Sequence, residues 1–195
     1  MEQNVSYALG LSMGIQMKSS GVEKLDYAEV ARGMQDVLEG KKPSISLEQA
    51  QEVLNKFFGE LEAKSAKRLK EEGAKFLAEN AKRPEVKTTS SGLQYEILEP
   101  ALGVKPTATS TVEVHYEGRL LDGTVFDSSY QRGQTISFPL NRVIAGWTEG
   151  LQLMSVGAKY KFYIPYNLAY GEQGAGQSIP PYATLIFTVE LKGIN

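Results

Sequence analysis

A single histidine, His115, and no cysteine narrow the chemistry open to this 195-residue chain. One imidazole excludes a multi-histidine metal site, and it excludes any serine–histidine mechanism that needs a second. Without cysteine there is neither a disulfide framework nor a thiolate metal site. His115 falls on the polar side of its segment and reads as structural. Two stretches stand out beside it: Asp127, behind Phe126 at the head of Asp127-Ser128-Ser129, and the one tryptophan, Trp147, in Val143-Ile144-Ala145-Gly146-Trp147. The Asp-Ser-Ser run fits a plain turn, or a carboxylate that faces a pocket.

The elements that must hold these residues change character near residue 85. A charge-rich segment poor in proline gives way to one carrying six of the 8 prolines and eight of the 10 tyrosines. Helices followed by strands and turns is the economical reading, as two domains, 1–85 and 86–195. In the second, Leu93/Tyr95/Ile97, Val112/Val114/Tyr116, Tyr160/Phe162/Ile164 and Leu185/Phe187/Val189/Leu191 alternate with polar neighbours, Tyr163 counted among them. These are half-buried strands of an antiparallel sheet with one wet face. Ile144, Trp147 and Leu151 fall at i, i+3 and i+7, so a short helix packs on the dry face. The fold class is α+β: an all-α domain with a long stalk helix, then an antiparallel sheet wrapped around a short α-helix.

In the first domain Val5, Leu9, Met13 and Met17 recur every four residues, and Tyr7, Leu11 and Ile15 supply a second apolar face. A short helix that is apolar on two sides must be covered on both. Asp26 with Glu29, and Ser46 with Gln49, have capping-box spacing, and Gly40 marks a stop between them. The second start opens a helix from about 46 to 83, closed by Pro84. Its apolar face thins after Leu61, and Gly73 marks a candidate bend. A segment this short cannot bury its own apolar faces, which points to a second copy; an intramolecular bundle is the competing reading.

Read in order, Val114-His115-Tyr116-Glu117-Gly118, Asp122-Gly123-Thr124-Val125-Phe126-Asp127-Ser128-Ser129, Val143-Ile144-Ala145-Gly146-Trp147, Leu168-Ala169-Tyr170-Gly171 and Ile179-Pro180-Pro181-Tyr182-Ala183-Thr184-Leu185-Ile186-Phe187 resemble the FKBP-type peptidyl-prolyl cis–trans isomerases. The resemblance runs from about Gly92 to Ile194. It implies an FKBP-like fold and acceleration of Xaa–Pro isomerisation during protein folding, with no cofactor and no metal. Asp127, Tyr170 and Phe126 would be catalytic. Tyr116, Phe138, Val143, Ile144, Trp147, Ile179 and Phe187 would bind substrate or inhibitor, Ile136 sharing the place of Phe138. The Ile144 N–H and the Tyr170 hydroxyl would hold substrate carbonyls. A peptide-binding module or holdase chaperone using the same pocket without catalysis is the alternative.

Ala31-Arg32-Gly33-Met34-Gln35-Asp36 and Val53-Leu54-Asn55-Lys56-Phe57 resemble the amino-terminal region of the macrophage infectivity potentiator group. That implies a homodimer through the N-terminal helices, with chaperone-like client binding in a dimer cleft. The implied partners are proline-containing unfolded or partly folded proteins and the macrolides rapamycin and tacrolimus. A net charge of -2 gives no reason to expect nucleic acid or a membrane surface. The chain opens without a basic or apolar leader, which suits the cytoplasm. A periplasmic or cell-surface site is the alternative if a signal peptide has been removed.

Overall fold

The computed structural model describes residues 2–195. The chain divides into two compact units, Met1–Ser65 and Ala66–Asn195. Helix α1 spans Glu2–Ser19, α2 spans Tyr27–Leu38, and α3, Leu47–Asn80, starts in the first unit and ends in the second. Both expected starts are capped. The Asp26 carboxylate accepts from the N–H groups of Ala28 and Glu29 at 3.0 and 3.2 Å, although Glu29 turns to Arg32 instead of reaching back. Ser46 and Gln49 close the full reciprocal box, each backbone N–H donating to the other's side chain at 3.0 and 3.1 Å. Gly40 takes the left-handed φ of 66° that stops the chain after α2. The helix α3 contains 34 residues.

No residue from 3 to 65 is buried. Ile15 is 70% exposed, Val37 67% and Leu38 83%, so the apolar faces of α1 and α2 are uncovered within one chain.

The second unit is an antiparallel sheet. Its strands are β1 (Val86–Thr88), β2 (Gln94–Glu99), β3 (Thr111–Leu120), β4 (Val125–Ser128), β5 (Ile136–Pro139), β6 (Lys159–Ile164) and β7 (Leu185–Ile194). They run in the order β1-β2-β6-β7-β3-β4, and β5 pairs with β3 beyond the point where β4 ends. A one-turn helix α4 (Ser129–Arg132) follows β4, and α5 (Ala145–Leu151) lies on the dry face. Leu93, Val112, Val114, Leu151, Phe162, Ile164, Leu185, Val189 and Leu191 form the core between them. Gly146 and Gly150, one turn apart, set the depth of α5: a Cβ at either would stand 2.5 Å from Ile164 or 2.7 Å from the Phe162 ring.

The opposite face is only partly wet. Tyr163, grouped by alternation with Lys159 and Lys161, is 2% exposed, with its ring tilted against Phe76 of α3 at 5.8 Å. Asn80 donates to Gln94 at 2.9 Å, and Gln94 donates to the Leu77 carbonyl at 2.8 Å. Arg83 and Tyr163 both donate to Glu96, at 3.0 and 2.9 Å. Gly73 serves a close approach. A Cβ there would stand 2.4 Å from the Thr184 hydroxyl. His115 stacks on Tyr130 with ring centres 4.7 Å apart, and its Nδ1 lies 2.9 Å from the Ser129 hydroxyl. Among the described residues no cluster of three or more His, Asp or Glu is placed to hold a metal, and no helix is long and apolar enough to cross a membrane.

Candidate active site

Trp147 sits in the first turns of α5, 5% exposed, and three rings close on it. Tyr116 from β3 meets it edge-on at 5.1 Å, Phe187 from β7 at 5.1 Å, and Phe138 from β5 is tilted at 5.3 Å. Phe126 from β4 stands edge-on to Phe187 at 5.4 Å. Edge-to-face rings with fixed neighbours hold a hollow open, because each ring's positive rim lies on its neighbour's negative face. Gly118 makes this possible from the strand side. A Cβ there would come within 2.6 Å of the Phe126 ring and 2.7 Å of the Phe187 ring.

The result is a cavity of about 440 Å³, within the range of small-molecule sites. Of the ten residues expected at the site, nine line it: Tyr116, Phe126, Asp127, Phe138, Val143, Ile144, Trp147, Tyr170 and Phe187. Ile179 is not among them. It is buried in the core, in a two-way bridge with Ala175 whose N–H···O distances are 2.9 and 3.1 Å. Ile136, the alternate for Phe138, lines the cavity beside it, and Arg142 joins them.

The polar groups converge on one side. Tyr116 donates its hydroxyl proton to the Asp127 carboxylate, Arg132 forms an ion pair with the same carboxylate, and Arg132 also donates to the Tyr116 oxygen at 2.9 Å. Burial pushes the Asp127 carboxyl upward, but the hydrogen bonds from Tyr116 and Arg132 and the guanidinium charge outweigh it. The group stays below the usual carboxylate range. Burial raises the Tyr116 and Tyr170 hydroxyls, and the charge on Asp127 raises both further. The carboxylate is therefore ionised and both phenols are neutral.

Sequence reasoning overlooked Arg132. Its signal was present: Ser128 caps α4 by accepting from Gln131, Gly133 ends the turn at a left-handed φ of 71°, and Arg132 is the basic residue in the last turn. One turn of helix carries the guanidinium back to Asp127.

Two of the open donors at the cavity could reach peptide carbonyls. Among the described residues neither the Ile144 N–H nor the Tyr170 hydroxyl has a protein acceptor, and both residues line the cavity. Ile144 precedes α5, where backbone N–H groups are left free by helix geometry; its carbonyl accepts from Trp147 and Thr148 at 2.9 and 3.1 Å. An apolar ring on the tryptophan floor would thus find donors for flanking carbonyls and a carboxylate at its edge.

A sheet curled over one short helix, with an aromatic hollow between them, defines an FKBP-like domain. Residues 103–192 match the family described as FKBP-type peptidyl-prolyl cis-trans isomerase, and residues 2–97 match the domain amino terminal to it. A probable FKBP-type isomerase of Neisseria meningitidis serogroup B, FkpA, is 51% identical over 99% of this chain and 74% of its own. The FKBP-type 22 kDa isomerase of Escherichia coli is 45% identical over 98% of this chain and 94% of its own. The crystal structure of Escherichia coli FkpA superposes with a TM-score of 0.75 at 38% identity, covering 100% of this chain and 96% of that one. The chain belongs to the FKBP-type peptidyl-prolyl cis–trans isomerases, and it is an enzyme of that class.

Proposed function

We propose that the Trp147 cavity is where the prolyl bond turns, and that it works by solvation and not by covalent attack. Rotation about an amide faces a barrier of about 20 kcal/mol because the C–N bond loses its double-bond character. The planar amide is the more polar state, with negative charge on oxygen. At the twisted state that charge has partly returned to nitrogen, which becomes pyramidal. An apolar wall of Tyr116, Phe126, Phe138 and Phe187 disfavours the planar form more than the twisted one, which is the differential binding catalysis requires. Trp147 takes the proline ring. The Ile144 N–H and the Tyr170 hydroxyl hold the neighbouring carbonyls, and Asp127 orients the peptide beside the twisting bond.

The observation that carries this reading is an aromatic cavity lined by Ile144 and Tyr170, whose N–H and hydroxyl have no protein acceptor among the described residues, and by Asp127, whose carboxyl is held ionised. A prolyl-peptide isomerisation assay tests it, with rapamycin or tacrolimus as competitors for the same hollow. Catalysis that persists with the cavity saturated by macrolide would refute it.

The exposed faces of α1 and α2 support a homodimer through the N-terminal helices. Val30, Gly33, Met34, Val37 and Leu38 line a shallow apolar depression on α2, and Val37 and Leu38 are among its most exposed side chains. Such a dimer would offer a cleft for unfolded, proline-containing clients, giving a chaperone-like function beside the isomerase. Residues 1–85 then serve as the dimerisation and stalk domain, and 86–195 as the isomerase domain. Light scattering at micromolar concentration decides the assembly, and a monomer mass would exclude it.

A further inference from the structure

Tyr182 is the one non-glycine residue with a positive φ among those described, at 61°. A bulky side chain in the left-handed region is strained, and it persists only where its surroundings hold it. Its backbone N–H donates to the Gly171 carbonyl at 2.9 Å, immediately after Tyr170. Gly171 in turn donates to the Tyr166 carbonyl at 2.8 Å. The Tyr166 and Tyr182 rings meet edge-on at 5.3 Å, so the two ends of the segment that carries Tyr170 are tied ring to ring and backbone to backbone.

A cation closes this tie from outside the sheet. The Lys70 ammonium on α3 lies 3.9 Å from the centre of the Tyr182 ring and 5.9 Å from that of Tyr166. Three residues on, Gly73 brings the α3 backbone against the buried Thr184, two residues after Tyr182. Phe76 and Asn80 then fix the same helix to Tyr163 and Gln94, so Lys70 is presented from a held element.

We infer that Lys70 is a positioning residue for the isomerase site: seated on Tyr182, it holds the strained turn and, through the Tyr182–Gly171 hydrogen bond, sets where the Tyr170 hydroxyl stands in the cavity. The last turns of α3 are then part of the enzyme and not only a spacer. This rests on the reading of Tyr170 as a substrate-holding group, because only then does its placement reach turnover.

The test uses the full chain with Lys70→Met, which keeps the stem and removes the charge, and Lys70→Arg, which keeps a cation. Tyrosine-ring NMR reports the position of Tyr170 directly. Lys70→Met should shift and broaden the Tyr170 ring signals and leave the Trp147 indole signal in place, and Lys70→Arg should restore them. For a prolyl peptide, KM should rise about threefold in Lys70→Met with kcat little changed, since a carbonyl contact is shared by ground and transition states. The rise should vanish when Lys70→Met is made in a Tyr170→Phe background. Unchanged Tyr170 signals in Lys70→Met would overturn the inference, as would a KM effect that adds in full to that of Tyr170→Phe. Shifted signals with a wild-type KM in both Lys70→Met and Tyr170→Phe would leave the positioning standing and fault the role given to Tyr170.

Discussion

Arg132 is ion-paired with Asp127 across the one-turn helix α4, and both reach Tyr116, so the site's only carboxylate is pinned at the cavity edge. Asp127→Ala should lower kcat/KM for a prolyl peptide at least tenfold while circular dichroism stays native. The pair is some 40% exposed on each side, which limits its worth to stability. A fall in kcat/KM smaller than twofold would remove Asp127 from the mechanism.

The titration of these groups gives a pH profile. Asp127 has a folded pKa below its unfolded value of about 3.9, so its contribution to stability is complete above that value and fades as pH falls through the folded pKa. Tyr116 and Tyr170 have folded values above about 10, so theirs is complete below that value and fades as pH rises through the folded pKas. Neither kind ionises between, and in the proposed mechanism no proton moves. The kcat/KM should be level from about pH 5 to 9. In Arg132→Ala the acid limb should begin at higher pH, because the guanidinium no longer favours the carboxylate. A bell centred near neutrality in the wild type would mean proton transfer.

Gly118 separates two aromatic walls. Gly118→Ala sets a methyl group against the rings of Phe126 and Phe187, neither of which is a flexible chain end. We expect a loss of about 1–3 kcal/mol in urea unfolding and a larger proportional loss of peptide turnover, since the displaced ring is the cavity wall. Full turnover with full stability would show that the walls are free to move.

Among the described residues the Trp147 Nε1–H is the buried side-chain polar atom without a partner. Trp147→Phe removes that unmet donor along with some packing, and the two effects oppose each other. Its net cost should be under about 1.5 kcal/mol, against about 3–5 for Trp147→Ala. A Phe variant as unstable as the Ala variant would mean the indole N–H is satisfied after all.

Val37 and Leu38 stand out to solvent in the first unit, remote in sequence from every cavity residue. Replacing both with Glu should yield a monomer by light scattering and leave short-peptide turnover intact. Refolding of a proline-limited protein should slow if the paired arms gather clients. Equal refolding by both forms would deny the arms that part.

The helical caps at Asp26 and Ser46, the alternating strands and the order of the aromatic segments were all legible in the residues themselves. Each is a local pattern: a side chain bonding its own backbone three residues on, or a period of two that sorts one face from the other. Arg132 escaped notice because an ion pair depends on direction, and direction comes from the turn of α4. Tyr163 was assigned to water because alternation reports that two faces differ, not what lies on them. Only the packing of Phe76 and Asn80 shows that a helix from far earlier in the chain covers that side.

Composition and spacing alone settled that this protein is a helical segment followed by a sheet around a tryptophan-bearing helix, with no thiol and no second imidazole for covalent work. Tertiary structure decided which atoms meet: that Ile179 turns into the core, that Gly73 admits Thr184, and that Arg132 holds Asp127. The division has one cause. Burial periodicity is written along the chain, whereas a contact between distant segments exists only once the backbone has fixed their distance and angle.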